Sequence, residues 1–203
     1  GWCGRGLASR ASGMGAQVIV TEVNPIRALE AAMDGYQVMK MIDAVKEADI
    51  VVTVTGGMKG LSKEHFEVMK DGCMVANSGH FNVEIDIESL EAMSSSKTTL
   101  RPYVEEFQLK DNRKIFLLSE GRLVNLAAGD GHPSSVMDMS FANQALSVEH
   151  VALNASEMSP NVYPVPKHID EEVGKLKLES MNISIDELTE EQHNYLNSWE
   201  MGT

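Results

Sequence analysis

Through the first eighty residues, short β-branched runs alternate with stretches whose apolar residues recur at helical spacing. A helix is predicted over 5–12, stopped by the glycines at 13 and 15, and Val18-Ile19-Val20-Thr21 follows as a strand with Glu22 at its end. Asn24-Pro25 opens the next helix, Asn as cap and Pro at the first helical position, with Ile26, Leu29 and Met33 along one side and Gly35 as its stop. Gln37-Val38-Met39 reads as a short strand, a helix follows near 43–47, and 49–55 is a nearly continuous β-branched run closing at Gly56-Gly57. Such a run suits a strand buried on both faces. Ser62 caps a helix through Met69, Asp71-Gly72 turns the chain, and Cys73-Met74-Val75-Ala76-Asn77 is a strand ending in Ser78-Gly79-His80. Strands alternating with helices predict an α/β fold with a Rossmann-like, doubly wound parallel sheet.

Beyond residue 100 the texture changes. Residues 101–109 and 115–118 read as paired β segments around an Asp111-Asn112 turn. Gly121-Arg122-Leu123-Val124-Asn125-Leu126 then leads to Gly129-Asp130-Gly131-His132-Pro133, which reads as a hinge, with Asn125 at a strand end and His132 on the joint. Pro133 opens a long helix to about residue 155. A tail with three prolines, a Lys-rich stretch and an acidic helix near 186–199 follows. The predicted organisation is 1–131 as a dinucleotide domain, 132–156 as hinge and helix, and 157–203 as tail.

The 203 residues allow one large domain or a domain with an appendage. Seventeen Lys and Arg against thirty Asp and Glu give a net charge of −13, which opposes nucleic acid or an anionic membrane as partner and fits a cytoplasmic protein. No apolar run approaches the roughly 20 residues of a membrane span. The two cysteines, Cys3 and Cys73, have no metal-site or dithiol spacing, so neither metal nor thiol chemistry is expected.

Chemistry concentrates at the strand ends, where open α/β sheets bind ligands. Gly1-Trp2-Cys3-Gly4 matches the back half of G-x-G-x-x-G, in which the middle glycine admits a pyrophosphate, the last lets helix and strand pack closely, and the helix N-terminus faces the anion. Glu22 stands roughly 20 residues on, where an acid takes the adenosine ribose hydroxyls. The strand preceding this helix is then expected upstream of Gly1, making the chain a piece of a longer one. The other strand ends are Thr55-Gly56 and Asn77-Ser78-Gly79-His80.

Longer stretches resemble one family. Gly1-Trp2-Cys3-Gly4-Arg5-Gly6, Thr21-Glu22-Val23-Asn24-Pro25, Asn77-Ser78-Gly79-His80-Phe81-Asn82-Val83-Glu84-Ile85-Asp86, Glu120-Gly121-Arg122-Leu123-Val124-Asn125-Leu126 and Gly131-His132-Pro133-Ser134 are similar to S-adenosyl-L-homocysteine hydrolase, the NAD-dependent adenosylhomocysteinase of the methyl cycle. The resemblance spans essentially the whole chain. It implies NAD as cofactor, with Gly1, Trp2, Cys3 and Gly4 at the pyrophosphate and Glu22 at the adenosine ribose. Thr55 and Gly56 would line the nicotinamide half, with Asn77 and Asn125 near its carboxamide, and Ser78 and Gly79 would also bind the cofactor. Arg27 stands at a cofactor-ribose position where many members carry Asn. His80 and His132 would be the catalytic histidines, both also touching substrate, and Met137 would pack on the adenine.

The implied reaction is reversible hydrolysis of S-adenosyl-L-homocysteine to adenosine and homocysteine. Transient oxidation at C3′ acidifies the C4′ proton, homocysteine leaves by β-elimination, water adds, and the hydride returns. Closure about the hinge would hold water back until the enone exists. The family's substrate-binding half precedes the glycine loop and is not in this chain, so the chain alone is expected to be inactive, and the full-length protein a homo-oligomer, a tetramer. The sequence ends without the Lys- and Tyr-bearing tail through which longer-tailed members reach a neighbour's cofactor. Two other readings are a 2-hydroxy-acid dehydrogenase using Arg122 and His132, against which the block around His80 argues, and a non-catalytic NAD-binding regulator.

Overall fold

A computed structural model describes residues 1–199; the predicted tail helix therefore runs to the edge of the described residues, and 200–203 lie outside them. The chain divides into two compact units, Gly1–Gly131 and a second from His132 onward.

In the first unit α1 (Trp2–Gly13) leads to β1 (Ile19–Val20), α2 (Pro25–Met33), β2 (Gln37–Val38), α3 (Met41–Glu47), β3 (Ile50–Thr53), α4 (Lys63–Val68) and β4 (Cys73–Asn77). The expected cap at Asn24 is present: its side-chain oxygen accepts the N–H groups of Ile26 and Arg27. At Ser62 the predicted cap is a full capping box, with His65 as the returning partner. After α5 (Ile87–Met93) come β5 (Ser94–Arg101), β6 (Val104–Leu109) and β7 (Lys114–Leu118), then the short α6 (Val124–Ala127).

Two sheets result. β1 pairs in parallel with β2, and a five-stranded sheet runs β3-β4-β7-β6-β5. β3, β4 and β7 are parallel, whereas β6 and β5 join antiparallel. The fold is Rossmann-like α/β, with a mixed rather than all-parallel sheet. β5 was not expected: Ser94-Ser95-Ser96-Lys97-Thr98-Thr99 lacks an apolar alternation, because as an outer strand it leaves nearly all its side chains exposed.

The core is Val45, Val51, Leu61, Phe66, Met69, Cys73, Val75, Ile85, Leu90, Phe107, Leu109, Ile115 and Leu117, gathered between α3, α4, α5 and one face of the five-stranded sheet. One expectation fails here. β3 is an edge strand among the described residues, so Val51 and Thr53 are buried but Ile50 is 58% exposed. The strand is not covered on both faces.

The second unit holds α7 (Ser134–Asn154), α8 (Lys167–Ser180) and α9 (Glu190–Leu196). α8 buries Ile169 and Val173; Asn143 of α7 bonds Asp170, and Lys177 pairs with Asp138 at 3.2 Å. The acidic tail helix is shorter than predicted, starting at the capping box of Thr189 and Gln192.

Candidate functional site

The first cluster forms where α1 begins and β1 ends. Gly1 is the N-cap of α1, no side chain caps it, and a side chain at Gly1 or Gly4 would meet open space. The first-turn N–H groups, which a helix cannot satisfy internally, are therefore free to face an anion. The close helix–strand neighbour expected at Gly4 is absent among the described residues.

Glu22 bends back on its own turn: Oε1 accepts the N–H of Val23 at 2.7 Å and of Asn24 at 3.0 Å. The Asn24 N–H foremost, with the Val23 N–H, the amino group at Gly1 and Arg27, holds this carboxyl below the usual carboxylate range against the opposing effect of burial. Oε2 makes no hydrogen bond among the described residues. A cleft of about 350 Å³ opens beside them, lined by Trp2, Arg5, Asn24, Ile26, Arg27 and Glu30. Arg5 is held by Glu30 at 3.7 Å and Asp34 at 3.4 Å, while Arg27 has no ion pair among the described residues. Cys3 is exposed.

The second cluster lies at the ends of β3 and β4, organised by two side chains with no exposure. Asn77 closes its loop with all four of its hydrogen-bonding positions. Nδ2 donates to the carbonyls of Phe81 at 2.8 Å and Gly121 at 3.0 Å, and Oδ1 accepts the Thr53 hydroxyl at 3.2 Å and the Gly79 N–H at 2.7 Å. Its amide is committed inside the protein.

Glu84 does the same for the neighbouring turn. Its Oε2 accepts the Thr55 N–H at 2.8 Å and the Thr55 hydroxyl at 3.0 Å, and its Oε1 accepts the Gly56 N–H at 2.7 Å. The Thr55 hydroxyl in turn accepts the Gly57 N–H at 3.0 Å. Gly56 sits at φ +66, and a Cβ at Gly79 would lie 1.7 Å from Glu84 Oε1, so both positions need glycine. Residues 59–61 run beside 83–86, Lys59 N–H to Val83 carbonyl and Asp86 N–H to Leu61 carbonyl both at 2.8 Å. Lys59 also pairs with Asp86 at 3.1 Å.

Sequence reasoning gave Glu84 no role. Its signal was a carboxylate directly before the buried Ile85: a buried acid needs partners, and they come from a turn 28 residues earlier.

His80 is exposed at the loop tip, its ring edge-on to Phe81 with centroids 4.1 Å apart. Asn125 lies in α6 and not at a strand end. Leu123 bridges to Asn77 and the chain then coils, so the strand-like run before it forms no strand. The Asn125 Oδ1 atom is buried without a hydrogen-bond partner, and its backbone carbonyl accepts the Gly131 N–H at 3.2 Å. His132 and Met137 belong to the second unit, His132 exposed ahead of α7 and Met137 on that helix, 40% exposed. Among the described residues no helix is long and apolar enough to cross a membrane, and no group of three His, Cys, Asp or Glu could hold a metal.

The family model for "S-adenosyl-L-homocysteine hydrolase, NAD binding domain" matches residues 1–131. The whole chain is 63% identical to the adenosylhomocysteinase of Aquifex aeolicus, 60% to the S-inosyl-L-homocysteine hydrolase of Methanosarcina acetivorans and 56% to the adenosylhomocysteinase of Thermococcus kodakarensis. It covers 49%, 49% and 48% of those proteins, so the chain spans about half the length of the curated relatives it matches. The chain belongs to the S-adenosyl-L-homocysteine hydrolase family, and its first 131 residues are that family's NAD binding domain.

Proposed function

We propose that this chain is the cofactor half of an enzyme that reversibly hydrolyses S-adenosyl-L-homocysteine to adenosine and L-homocysteine. The observation that carries the reading is the pairing of an uncapped helix start with a strand-end acid: Trp2 and Arg5 of α1 line one open cleft with Asn24, Ile26 and Arg27, and Glu22 holds the Asn24 N–H on its wall. Three features fit a dinucleotide: unsatisfied first-turn amides for its phosphates, the unengaged Oε2 of Glu22 for a ribose diol, and a buried orphan oxygen on Asn125 for a carboxamide.

NAD, when bound, supplies reversible acceptance of a hydride, which is what makes an inert ribose carbon reactive. The amides of Gly1, Trp2, Cys3 and Gly4 would hold the pyrophosphate, and Arg27, with no ion pair among the described residues, would add positive charge beside the cofactor ribose. Thr55, Gly56, Ser78 and Gly79 form the floor under the nicotinamide half, and Asn77 keeps that floor in shape from within. His80, exposed at the loop tip, faces the substrate ribose. The active protein is the full-length one, a homotetramer in the cytoplasm, and 132–156 act as the hinge and returning helix.

A second substrate is favoured by a specific observation: identity to an S-inosyl-L-homocysteine hydrolase is as high as to most adenosyl-named relatives. The deciding experiment supplies the full-length protein with each thioether and follows homocysteine release. Release from either establishes the hydrolase reading and ranks the bases; no release from both, with NAD present, removes it. Glu22→Ala should lower the NAD retained on purification, and unchanged retention removes Glu22 from the ribose site.

A further inference from the structure

Glu84 has no place in the roles above, yet no other acid is so completely enclosed in the first unit. It is fully buried, and its carboxylate takes three donors of the turn that follows β3: the N–H groups of 55 and 56 and the Thr55 hydroxyl hydrogen. The Gly57 N–H is taken by the Thr55 oxygen. A hydroxyl has one hydrogen and two lone pairs. With its hydrogen turned to Glu84 and one lone pair on Gly57, Thr55 keeps a single lone pair for anything outside, and Thr55 is exposed. Residues 55–57 therefore offer a ligand acceptors and no free donor, beside the Glu84 carboxylate. The side-chain oxygen of Asn125, buried with no partner, is a second acceptor in want of a donor.

We infer that Glu84 is a positioning residue that sets the polarity of the Thr55–Gly57 turn, so that the site accepts a carboxamide NH2 group and rejects a carboxylate at the same place. The inference rests on the reading that this domain takes a nicotinamide dinucleotide, and it adds what that reading does not contain: discrimination between nicotinamide and nicotinic acid forms of the cofactor, exerted by a group that touches neither. A carboxamide donates two hydrogens and finds acceptors. A carboxylate donates none and faces lone pairs and a buried charge, with no compensating hydrogen bond.

The test uses the full-length protein stripped of bound cofactor and titrated calorimetrically with NAD and with nicotinic acid adenine dinucleotide. Wild type is expected to prefer NAD. In Glu84→Gln, which keeps the shape but carries its own NH2, the preference should narrow about tenfold, as expected when one charge-assisted interaction is lost. Thr55→Val keeps the Glu84 carboxylate but removes the Thr55 hydroxyl, with its lone pairs and its bonds to Glu84 and Gly57; NAD should weaken while the acid form does not, and Thr55→Ser should restore the wild-type ratio. A purely structural role for Glu84 would weaken both dinucleotides equally. An unchanged ratio in both variants overturns the inference while leaving the cofactor reading intact, and failure of wild type to bind either dinucleotide overturns both. Should Glu84→Gln not fold, Thr55→Val decides alone.

Discussion

Two buried side chains, Asn77 and Glu84, hold the strand ends together, and each does so through hydrogen bonds to backbone rather than through apolar contact. Gly79 shows the cost of their arrangement most directly. A methyl group there would overlap the Glu84 carboxylate, which cannot retreat without releasing the 55–56 turn. Gly79→Ala is therefore expected to destabilise the folded protein by about 1–3 kcal/mol, in the range of overpacking a filled site. Chemical denaturation of wild type and variant checks it, and an unshifted midpoint would mean that Glu84 moves aside freely. Asn77 and Gly79 stood out in the sequence because amides and glycines at strand ends are read for chemistry. Glu84 did not, because its significance lies in partners far along the chain that no local pattern announces. Cysteine behaviour follows from burial at the same scale: the Cys73 thiol is pushed up to about 11 by burial first and by Asp49 second, whereas Cys3 is exposed. Iodoacetamide on the folded chain should label Cys3 and spare Cys73 until denaturant is added, as mass spectrometry would show.

α4 is a short helix whose two ends depend on single residues. At its start His65 closes the capping box, Nδ1 accepting the Ser62 N–H at 3.0 Å. Burial lowers the His65 pKa below 6.5, with Glu64 opposing it weakly. Protonating Nδ1 would remove the acceptor, and the unfolded chain binds that proton more readily than the folded one. Stability is accordingly complete above pH 6.5 and falls as pH drops below it. Thermal midpoints from pH 8 to 5 should show this decline, and His65→Gln, which can accept the same bond without titrating, should flatten it. At the other end Arg113 donates to the carbonyls of Phe66 at 3.1 Å and Glu67 at 2.9 Å, and also to that of Met69, replacing the partners a helix end lacks. Arg113→Ala should cost about 2 kcal/mol, from lost charged hydrogen bonds at a partly covered site, measured by urea unfolding. The sequence announced α4 through Ser62 and its apolar spacing. Arg113 was invisible there, since it arrives from the β6–β7 turn some forty residues later.

For the molecule as a whole, the split into a β1-β2 pair and a five-stranded sheet leaves β1 and β3 each with an unpaired edge among the described residues. Exposed Ile50 on β3 makes that edge adhesive. Isolated, the 203-residue chain is expected to self-associate at micromolar concentration, and Ile50→Lys should reduce the association in light scattering, since charge on an edge strand blocks pairing. The alternation of elements, the caps at Asn24 and Ser62, and the candidate residues at strand ends were all determined by sequence, because helix spacing, β-branched runs and capping are local properties of a few neighbouring residues. Tertiary structure alone decided that β5 forms from a polar run, that β3 lies at an edge, that Asn125 falls on a helical turn, and that Asn77 and Glu84 close the strand ends from beneath. Each of these depends on which distant segment lies opposite, and burial and hydrogen-bond partnership come into being only when the chain folds back on itself.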